Sequence, residues 1–229
     1  MTRPGLFITG TDTGVRKTFI SSLLLRAFRE WQAPVGYFKP LQTGSDSDTE
    51  ETRRLSPEAA REWAEPVYHL PLPAAPLRSA MAAGIEIAPA RVMAEWKRLA
   101  AQGVWVVEGA GGLRVPIAAG FTTVELIREL GIPALLVAST RLGTINHTLL
   151  SVECLEREGI PLAGIVLSGP QDPGLVGVLE QFSKARIVAE IPQVENFDDH
   201  ALELLAREVF PEKLLRRLLP AAFDPRLMP

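Results

Sequence analysis

A glycine-rich segment near the start of the chain places a lysine and a threonine side by side. It spans Gly10–Thr18, reads GTDTGVRKT, and lies between an apolar strand-like run and a helical stretch. In that position, backbone N–H groups and the positive end of the following helix would cradle phosphates. The pattern predicts that Lys17 reaches the β- and γ-phosphates and that the Thr18 hydroxyl holds a magnesium ion. Taken alone, the segment could also be a glycine-rich turn with no ligand.

A carboxylate ends another apolar run, where Val104–Glu108 is followed by three glycines within four residues. Because Mg²⁺ takes one or two carboxylates together with phosphate oxygens, Glu108 suits a metal contact. The acidic run Ser45–Glu51 reads SDSDTEE and is typical of a helix start, with Ser47 or Asp48 as the N-cap. Capping and metal binding are compatible at such a position, so this pattern leaves both functions open.

The elements that must position these residues alternate between short apolar runs and helical stretches. The expected strands are Leu6–Thr9, Val35–Phe38, Val104–Glu108, Ala134–Ala138, Leu162–Leu167 and Ile187–Ile191. The expected helices are Thr18–Trp31, Pro89–Ala101, Thr122–Leu130, Asn146–Glu158, Leu175–Lys184 and Asp199–Val209. This alternation predicts one α/β domain with a doubly wound, mostly parallel sheet, whose ligands gather beyond the carboxyl ends of the strands. We expect the segments 40–48 and 66–76 to be irregular, and residues 211–229 to contain a helix followed by a loose tail.

Composition excludes several classes of function. The net charge of −3 and the pI of 5.7 give no basic excess of the kind that binds nucleic acid or a membrane surface. The single cysteine, Cys154, excludes an intrachain disulfide and a cysteine-based zinc site, and its helical context favours a buried packing role. With no signal-like or membrane-spanning run, we expect a cytoplasmic protein.

Five segments together resemble the dethiobiotin synthetase family of P-loop NTPases. They are TGTDTGV followed by KT, then GYFKPLQTG, EGAGG, RLGTINH and AEIPQVEN, in the order of that family. The resemblance implies ATP and Mg²⁺ as cofactors, and closure of a ureido ring on 7,8-diaminopelargonate with CO₂ as the reaction. It also implies a homodimer.

The resemblance implies a role for each matching residue. It assigns catalysis to Lys17, Lys39 and Thr13, and the metal to Thr18, Asp48 and Glu108, with Asp46 as an alternative to Asp48. It assigns the substrate to Thr43, Gly109, Gly111, Gly143, Thr144 and Asn146. It assigns the nucleotide to Gly10, Thr11, Asp12, Gly14, Val15, Arg16, Lys17, Thr18, Ser168, Pro192 and Glu195.

Two positions depart from the family pattern. Arg16 stands where the family has glycine, so its side chain could crowd the phosphates or bind one of them. Ser168 stands where many members carry an adenine-reading asparagine, which leaves the preferred base open. The alternatives are a nucleotide switch, a binding-only member impaired by Arg16, and a cobyrinate-type ligase. The ligase would need an amidotransferase domain, for which 229 residues leave no room.

Overall fold

A computed structural model describes residues 4–33, 35–193 and 198–224. Its strands are β1 Gly5–Gly10, β2 Gly36–Phe38, β3 Leu41–Thr43, β4 Trp63–Ala64, β5 Tyr68–Leu70, β6 Trp105–Gly112, β7 Pro116–Ala118, β8 Phe121–Thr122, β9 Ala134–Ser139, β10 Leu162–Ser168 and β11 Ile187–Ile191. Its α-helices are α1 Lys17–Glu30, α2 Asp48–Leu55, α3 Pro76–Ala83, α4 Pro89–Gln102, α5 Thr123–Leu130, α6 Thr144–Arg157, α7 Pro173–Ser183, α8 Asp199–Val209 and α9 Glu212–Leu218.

Seven strands form one parallel sheet in the order β11-β10-β9-β1-β6-β2-β4. Alternate side chains of β1 point to opposite faces, since Leu6 and Ile8 pack with α1, α8 and α9, whereas Phe7 packs with α4 and α5. Helices on both faces explain why the strand sequences are almost continuously apolar. The doubly wound parallel sheet predicted from the sequence is therefore confirmed.

A buried arginine joins the helices of the first face, which is the side of the sheet on which Leu6 and Ile8 pack. Arg26 of α1 is 2% exposed, donates to the Leu55 carbonyl at the end of α2, and forms ion pairs with Asp199 and Glu203 of α8 at 2.5 and 2.6 Å. A buried guanidinium is stable only when its donors are paired, so Arg26 fixes these three helices relative to one another.

Three expectations need correction. The segments 40–48 and 66–76 are not wholly irregular, because β3 and β5 pair in parallel within them and α3 begins at Pro76. The C-terminal stretch begins with the expected helix, α9, but it is not loose as far as residue 224. Helix α9 and the 3₁₀ turn Pro220–Phe223 bury Leu215, Leu218 and Ala221 against the first-face core. Helix α6 begins two residues before the expected Asn146, directly after Gly143.

Within the described ranges, no helix is long and apolar enough to cross a bilayer.

Close packing between β2 and β6 gives a test of this architecture. Gly36 lies opposite Trp105, and a Cβ added there would overlap the buried indole ring. We expect Gly36→Ala to lower the free energy of unfolding in urea by about 1–3 kcal/mol, because the core has no room to adjust. Gly177→Ala on α7, where nothing lies within 4 Å of the added Cβ, should stabilise the protein by about 0.5–1 kcal/mol. Equal effects of the two substitutions would contradict the close approach of the two strands.

Candidate functional site

The loop between β1 and α1 has the shape that its glycine-rich sequence predicts. Gly10 allows a tight turn, since a Cβ there would overlap Val15 and the Asp12 carbonyl. The Thr13 N–H donates to the Asp12 carboxylate at 2.7 Å, and Thr11 N–H donates to the Val137 carbonyl at 2.9 Å. The first N–H groups of α1 have no intrahelical partner and point at the space that the loop encloses. A glycine-rich loop that leads into a helix start in this way is typical of an anion site.

Arg16 occupies the position immediately before α1 in a left-handed conformation, with φ 70° and ψ 36°. Glycine adopts this conformation without steric cost, whereas a residue with a Cβ does so at a cost of about 1 kcal/mol. The arginine therefore keeps the backbone path that a glycine would give.

Lys17, the first residue of α1, is 8% exposed and donates to the Asp12 carbonyl at 3.3 Å. Burial lowers the pKa of its ammonium, and the negative charge of Glu108 only partly opposes this shift. A cation in this position gains free energy when an anion arrives, because the anion restores the interactions lost with water. This environment makes Lys17 a candidate phosphate ligand.

Glu108 is the most densely hydrogen-bonded carboxylate of the site and is 1% exposed. Its Oε1 accepts from Thr18 at 2.9 Å and from Lys39 at 3.1 Å, and its Oε2 accepts from Ser21 at 2.7 Å and from Tyr37 at 3.1 Å. Thr18 and Ser21 are three residues apart and therefore share one face of α1. Four donors from α1 and from the β2 segment hold this carboxylate in one orientation.

Lys39 connects Glu108 to the acidic helix start. Its Nζ lies 2.6 Å from Oδ2 of Asp48 and 3.1 Å from Oε1 of Glu108, and the side chain is 4% exposed. Burial alone would lower the pKa of this ammonium, but the two carboxylates outweigh burial and raise the pKa above its usual value. Burial, and next Glu108, raise the pKa of the Tyr37 hydroxyl well above 10, so it stays a neutral donor. Lys39 is a fixed cation at neutral pH.

The segment between β3 and α2 is held by Gln42, which the sequence analysis did not single out. Its side-chain nitrogen donates to the Asp46 carbonyl at 2.5 Å, and its side-chain oxygen accepts from the Asp48 N–H at 3.2 Å. Ser47 caps α2 by accepting from the Glu50 N–H. The cap is therefore Ser47, which leaves the Asp48 carboxylate directed at Lys39.

These residues surround one cavity of about 500 Å³. Its lining combines the phosphate loop, the ends of β2 and β6, and the segment before α3. The residues are Thr13, Gly14, Arg16, Lys17, Thr18, Lys39, Leu41, Gln42, Thr43, Asp46, Asp48, Pro73, Ala74, Ala75, Pro76, Glu108, Ala110, Gly111 and Val115. The segment 73–76 is a contribution that the sequence signalled only as a run of prolines and alanines.

The donor set at the metal position fits a hard cation. Thr18 Oγ1 contacts Glu108, and both the Asp48 and Glu108 carboxylates contact the same Lys39 ammonium, so three oxygen ligands lie close together. Among the described residues, no cluster of three or more His, Cys, Asp or Glu side chains is assembled for a metal. Two carboxylates and a hydroxyl suit Mg²⁺, which completes its shell with waters and phosphate oxygens.

Some predicted site residues lie away from this cavity. Gly109 is buried beside the Phe7 ring, and Gly143, Thr144 and Asn146 lie at the start of α6, outside the cavity lining. The Thr144 hydroxyl is buried there with no hydrogen-bond partner in the part of the chain that is described. Their assignment to the substrate stays a prediction.

Ser168 ends β10 and Pro192 follows β11, and both strands lie on the side of β1 that is opposite to β6 and β2. Both residues accept hydrogen bonds from Nη1 of Arg16, at 3.4 Å for the Ser168 hydroxyl and 3.1 Å for the Pro192 carbonyl. Glu195 lies outside the described residues. Cys154 is buried and free, as its helical context predicted.

Solved structures share this fold at low sequence identity. A ParA family ATPase from Chlorobium tepidum TLS superposes with a TM-score of 0.56 at 13% identity, over 97% of this chain and 98% of its own. A nucleotide-binding protein from Archaeoglobus fulgidus, solved in complex with ADP, gives a TM-score of 0.52 at 12% identity, over 99% and 92% of the two chains. These likenesses show a P-loop NTPase fold.

Sequence relatives are more specific. Residues 4–201 match the family model described as "AAA domain". The ATP-dependent dethiobiotin synthetase BioD of Anaeromyxobacter dehalogenans is 46% identical, with 73% of this chain and 78% of the relative covered, and that of Bacillus velezensis is 35% identical over 86% and 90%. The bifunctional protein BioCD of Bordetella avium is 40% identical over 90% of this chain, which spans only 43% of that protein. The chain belongs to the ATP-dependent dethiobiotin synthetase family.

Proposed function

We propose that this protein closes the ureido ring of dethiobiotin, using ATP, CO₂ and 7,8-diaminopelargonate and releasing ADP and phosphate. One amine of the substrate forms a carbamate with CO₂. Transfer of the γ-phosphoryl group to the carbamate gives a mixed anhydride, and the second amine then attacks the carbonyl carbon and displaces phosphate. The observation that supports this reaction best is the convergence of Lys17, Lys39, Asp48 and Glu108 on one cavity beside the start of α1.

In this proposal the protein contributes position and charge. The loop N–H groups and Lys17 bind the triphosphate, and Thr13 on the rim of the cavity contacts the transferring group. Lys39 stabilises the carbamate and then the charge that develops on the equatorial oxygens during transfer. Thr43, which lines the same cavity, hydrogen-bonds the substrate.

The magnesium ion would be held by Thr18, Asp48 and Glu108, whose oxygens lie together beside Lys39. When bound, it supplies positive charge that draws the β- and γ-phosphates into one orientation. Tyr37 and Ser21 keep the Glu108 carboxylate in place through its second oxygen. The chain's own part is to present a rigid carboxylate to the metal.

A homodimer in the cytoplasm completes the proposal. Helix α6 begins directly after the loop that follows β9, and the N–H groups at its start have no partner within the helix. A helix start of this kind can bind a carboxylate. We infer that Gly143, Thr144 and Asn146 of one subunit bind the carboxylate tail of a substrate held in the cavity of the other. Leu142, Ile145 and Leu150 are exposed around this helix start, which favours contact with a second copy.

Phosphate release tests the proposed reaction directly. With MgATP present, we expect release to require both 7,8-diaminopelargonate and bicarbonate, because the carbamate is the phosphoryl acceptor. We expect Arg16→Gly to remain active as well, since Arg16 preserves the glycine backbone conformation. If the folded protein and this variant both released no phosphate in response to the two substrates, the proposed function would be wrong.

The metal assignment predicts a shift in magnesium demand. We expect Asp48→Asn to raise the Mg²⁺ concentration for half-maximal activity about tenfold or more, because a neutral amide is a weaker ligand than a carboxylate. Glu50→Gln is the matched control, since Glu50 lies two residues further in the same first helical turn and pairs with Arg53 instead. An identical Mg²⁺ dependence in both variants would remove Asp48 from the metal site.

The position of Lys39 between two carboxylates predicts a link between metal and stability. We expect Lys39→Met to reduce kcat by about 10²–10³-fold, and to lower the free energy of unfolding by about 3 kcal/mol without Mg²⁺, because Glu108 loses its buried cation. Added Mg²⁺ should then raise Tm more in this variant than in the wild type, since the metal replaces the missing charge. Lys97→Met, which removes an exposed lysine of α4, serves as the control. Equal Mg²⁺-induced shifts in all three proteins would contradict this electrostatic arrangement.

A further inference from the structure

The Arg16 side chain joins the phosphate loop to the far strands of the sheet. Its Nη1 donates to the Ser168 hydroxyl and the Pro192 carbonyl, and its guanidinium carbon lies 4.2 Å from the centre of the Phe19 ring. The contact over the ring is a cation–π interaction, which adds to the two hydrogen bonds in fixing the group. The long cation is thus directed away from Lys39 and the carboxylates.

The order of the strands indicates which part of a nucleotide meets this guanidinium. Glu108 lies within β6 and Lys39 follows β2, on one side of β1, whereas Ser168 ends β10 and Pro192 follows β11, on the other side. With neighbouring strands about 4.8 Å apart, β10 lies about 10 Å from β1. A triphosphate bound by Lys17, with its γ-phosphate toward Lys39, therefore extends its nucleoside toward Arg16.

Arg16 places hydrogen-bond donors beside Ser168 and Pro192, where the Pro192 carbonyl alone would offer an acceptor. The Pro192 carbonyl is an acceptor and would favour the 6-amino donor of adenine over the 6-oxo acceptor of guanine. Arg16 covers that carbonyl with a group that carries five N–H donors and no acceptor. Both of these hydrogen bonds engage Nη1, and the described residues add no further hydrogen bond to Nε or Nη2. These donors match an acceptor edge such as O6 and N7 of a 6-oxopurine.

We propose that Arg16 sets the nucleobase preference of this chain and extends it from adenine to the 6-oxopurines guanine and hypoxanthine. The proposal rests on the proposed function only in taking the phosphate loop as the triphosphate site. Arg16 contributes through its side chain, while its left-handed backbone keeps the loop in the form that binds phosphate. It is a specificity-determining residue rather than a catalytic one.

Equilibrium binding of nucleoside diphosphates tests the proposal without requiring turnover. The dissociation constants of ADP, GDP and IDP, measured with Mg²⁺ present, should be within a few-fold of each other for the wild type. In Arg16→Gly the uncovered carbonyl should favour adenine, so the GDP/ADP ratio of dissociation constants should rise about tenfold. IDP should follow GDP in both proteins, because hypoxanthine shares O6 and N7 with guanine but lacks its 2-amino group.

Lys184→Gly is the matched control for Arg16→Gly. Lys184 is also a cation at positive φ, 55°. It lies at the end of α7, before β11 begins, and so at the amino ends of the strands, whereas Ser168 and Pro192 lie at their carboxyl ends. This variant should keep the wild-type ratio. Ser168→Ala, which removes one anchor of the guanidinium and leaves the loop intact, should shift the ratio in the same direction as Arg16→Gly by a smaller factor.

The outcomes separate base selection from other roles of Arg16. An equal weakening of ADP, GDP and IDP in Arg16→Gly would make Arg16 a phosphate ligand and overturn the proposal, as would a strong preference of the wild type for ADP. A tight GDP complex with weak IDP binding would point to the 2-amino group and would also overturn it. Nucleotide binding with the expected ratios but without substrate-dependent phosphate release would instead reject the proposed function alone.

Discussion

The site depends on one buried carboxylate, Glu108, and on the cation that makes its burial tolerable. An ionised carboxylate removed from water costs several kcal/mol unless a charge and hydrogen bonds replace the lost hydration. Lys39 supplies the charge, and Thr18, Ser21 and Tyr37 supply the remaining donors. Because these partners come from α1 and from the β2 segment, the carboxylate can be accommodated only when both elements are docked on β6. The contacts that stabilise this carboxylate therefore form only when α1 and β2 are packed on β6.

The strand register explains why these groups meet. Val107 of β6 lies opposite Phe38 of β2, so the residues that follow, Glu108 and Lys39, emerge side by side at the carboxyl edge. Alternation places Tyr37 and Glu108 on the same face as α1. A slip of one residue in this pairing would turn Glu108 toward the opposite face and separate it from Thr18 and Ser21. The packing of Gly36 against Trp105 opposes such a slip at the start of the same strand pair.

Sequence patterns located the charged members of the site and Thr18, but not the other neutral side chains that orient Glu108. Lysine and glutamate at the ends of apolar strands stand out because burial of a charge is costly, and the structure brings Lys39 and Glu108 together. Ser21 and Tyr37 lie within ordinary helical and strand patterns, so nothing in the one-dimensional sequence reveals that they contact a carboxylate. Likewise, the Arg16 substitution was visible, but its direction depends on Ser168 and Pro192, more than 150 residues away. Long-range contacts of this kind have no local signal.

The two buried lysines of the cavity show how environment divides one residue type into two functions. Burial lowers the pKa of Lys17, because nearby carboxylates, Glu108 foremost, only partly oppose it and Lys39 repels the charge. Glu108 and Asp48 together raise the pKa of Lys39 above its usual value. The positive charge of Lys17 is therefore only partly compensated, and a bound phosphate would stabilise it. Lys39 already has its counter-charges in place, in the carboxylates of Asp48 and Glu108. In the proposed reaction, Thr18, Asp48 and Glu108 would hold the metal, which would share the two carboxylates with Lys39 and leave its ammonium available to the carbamate.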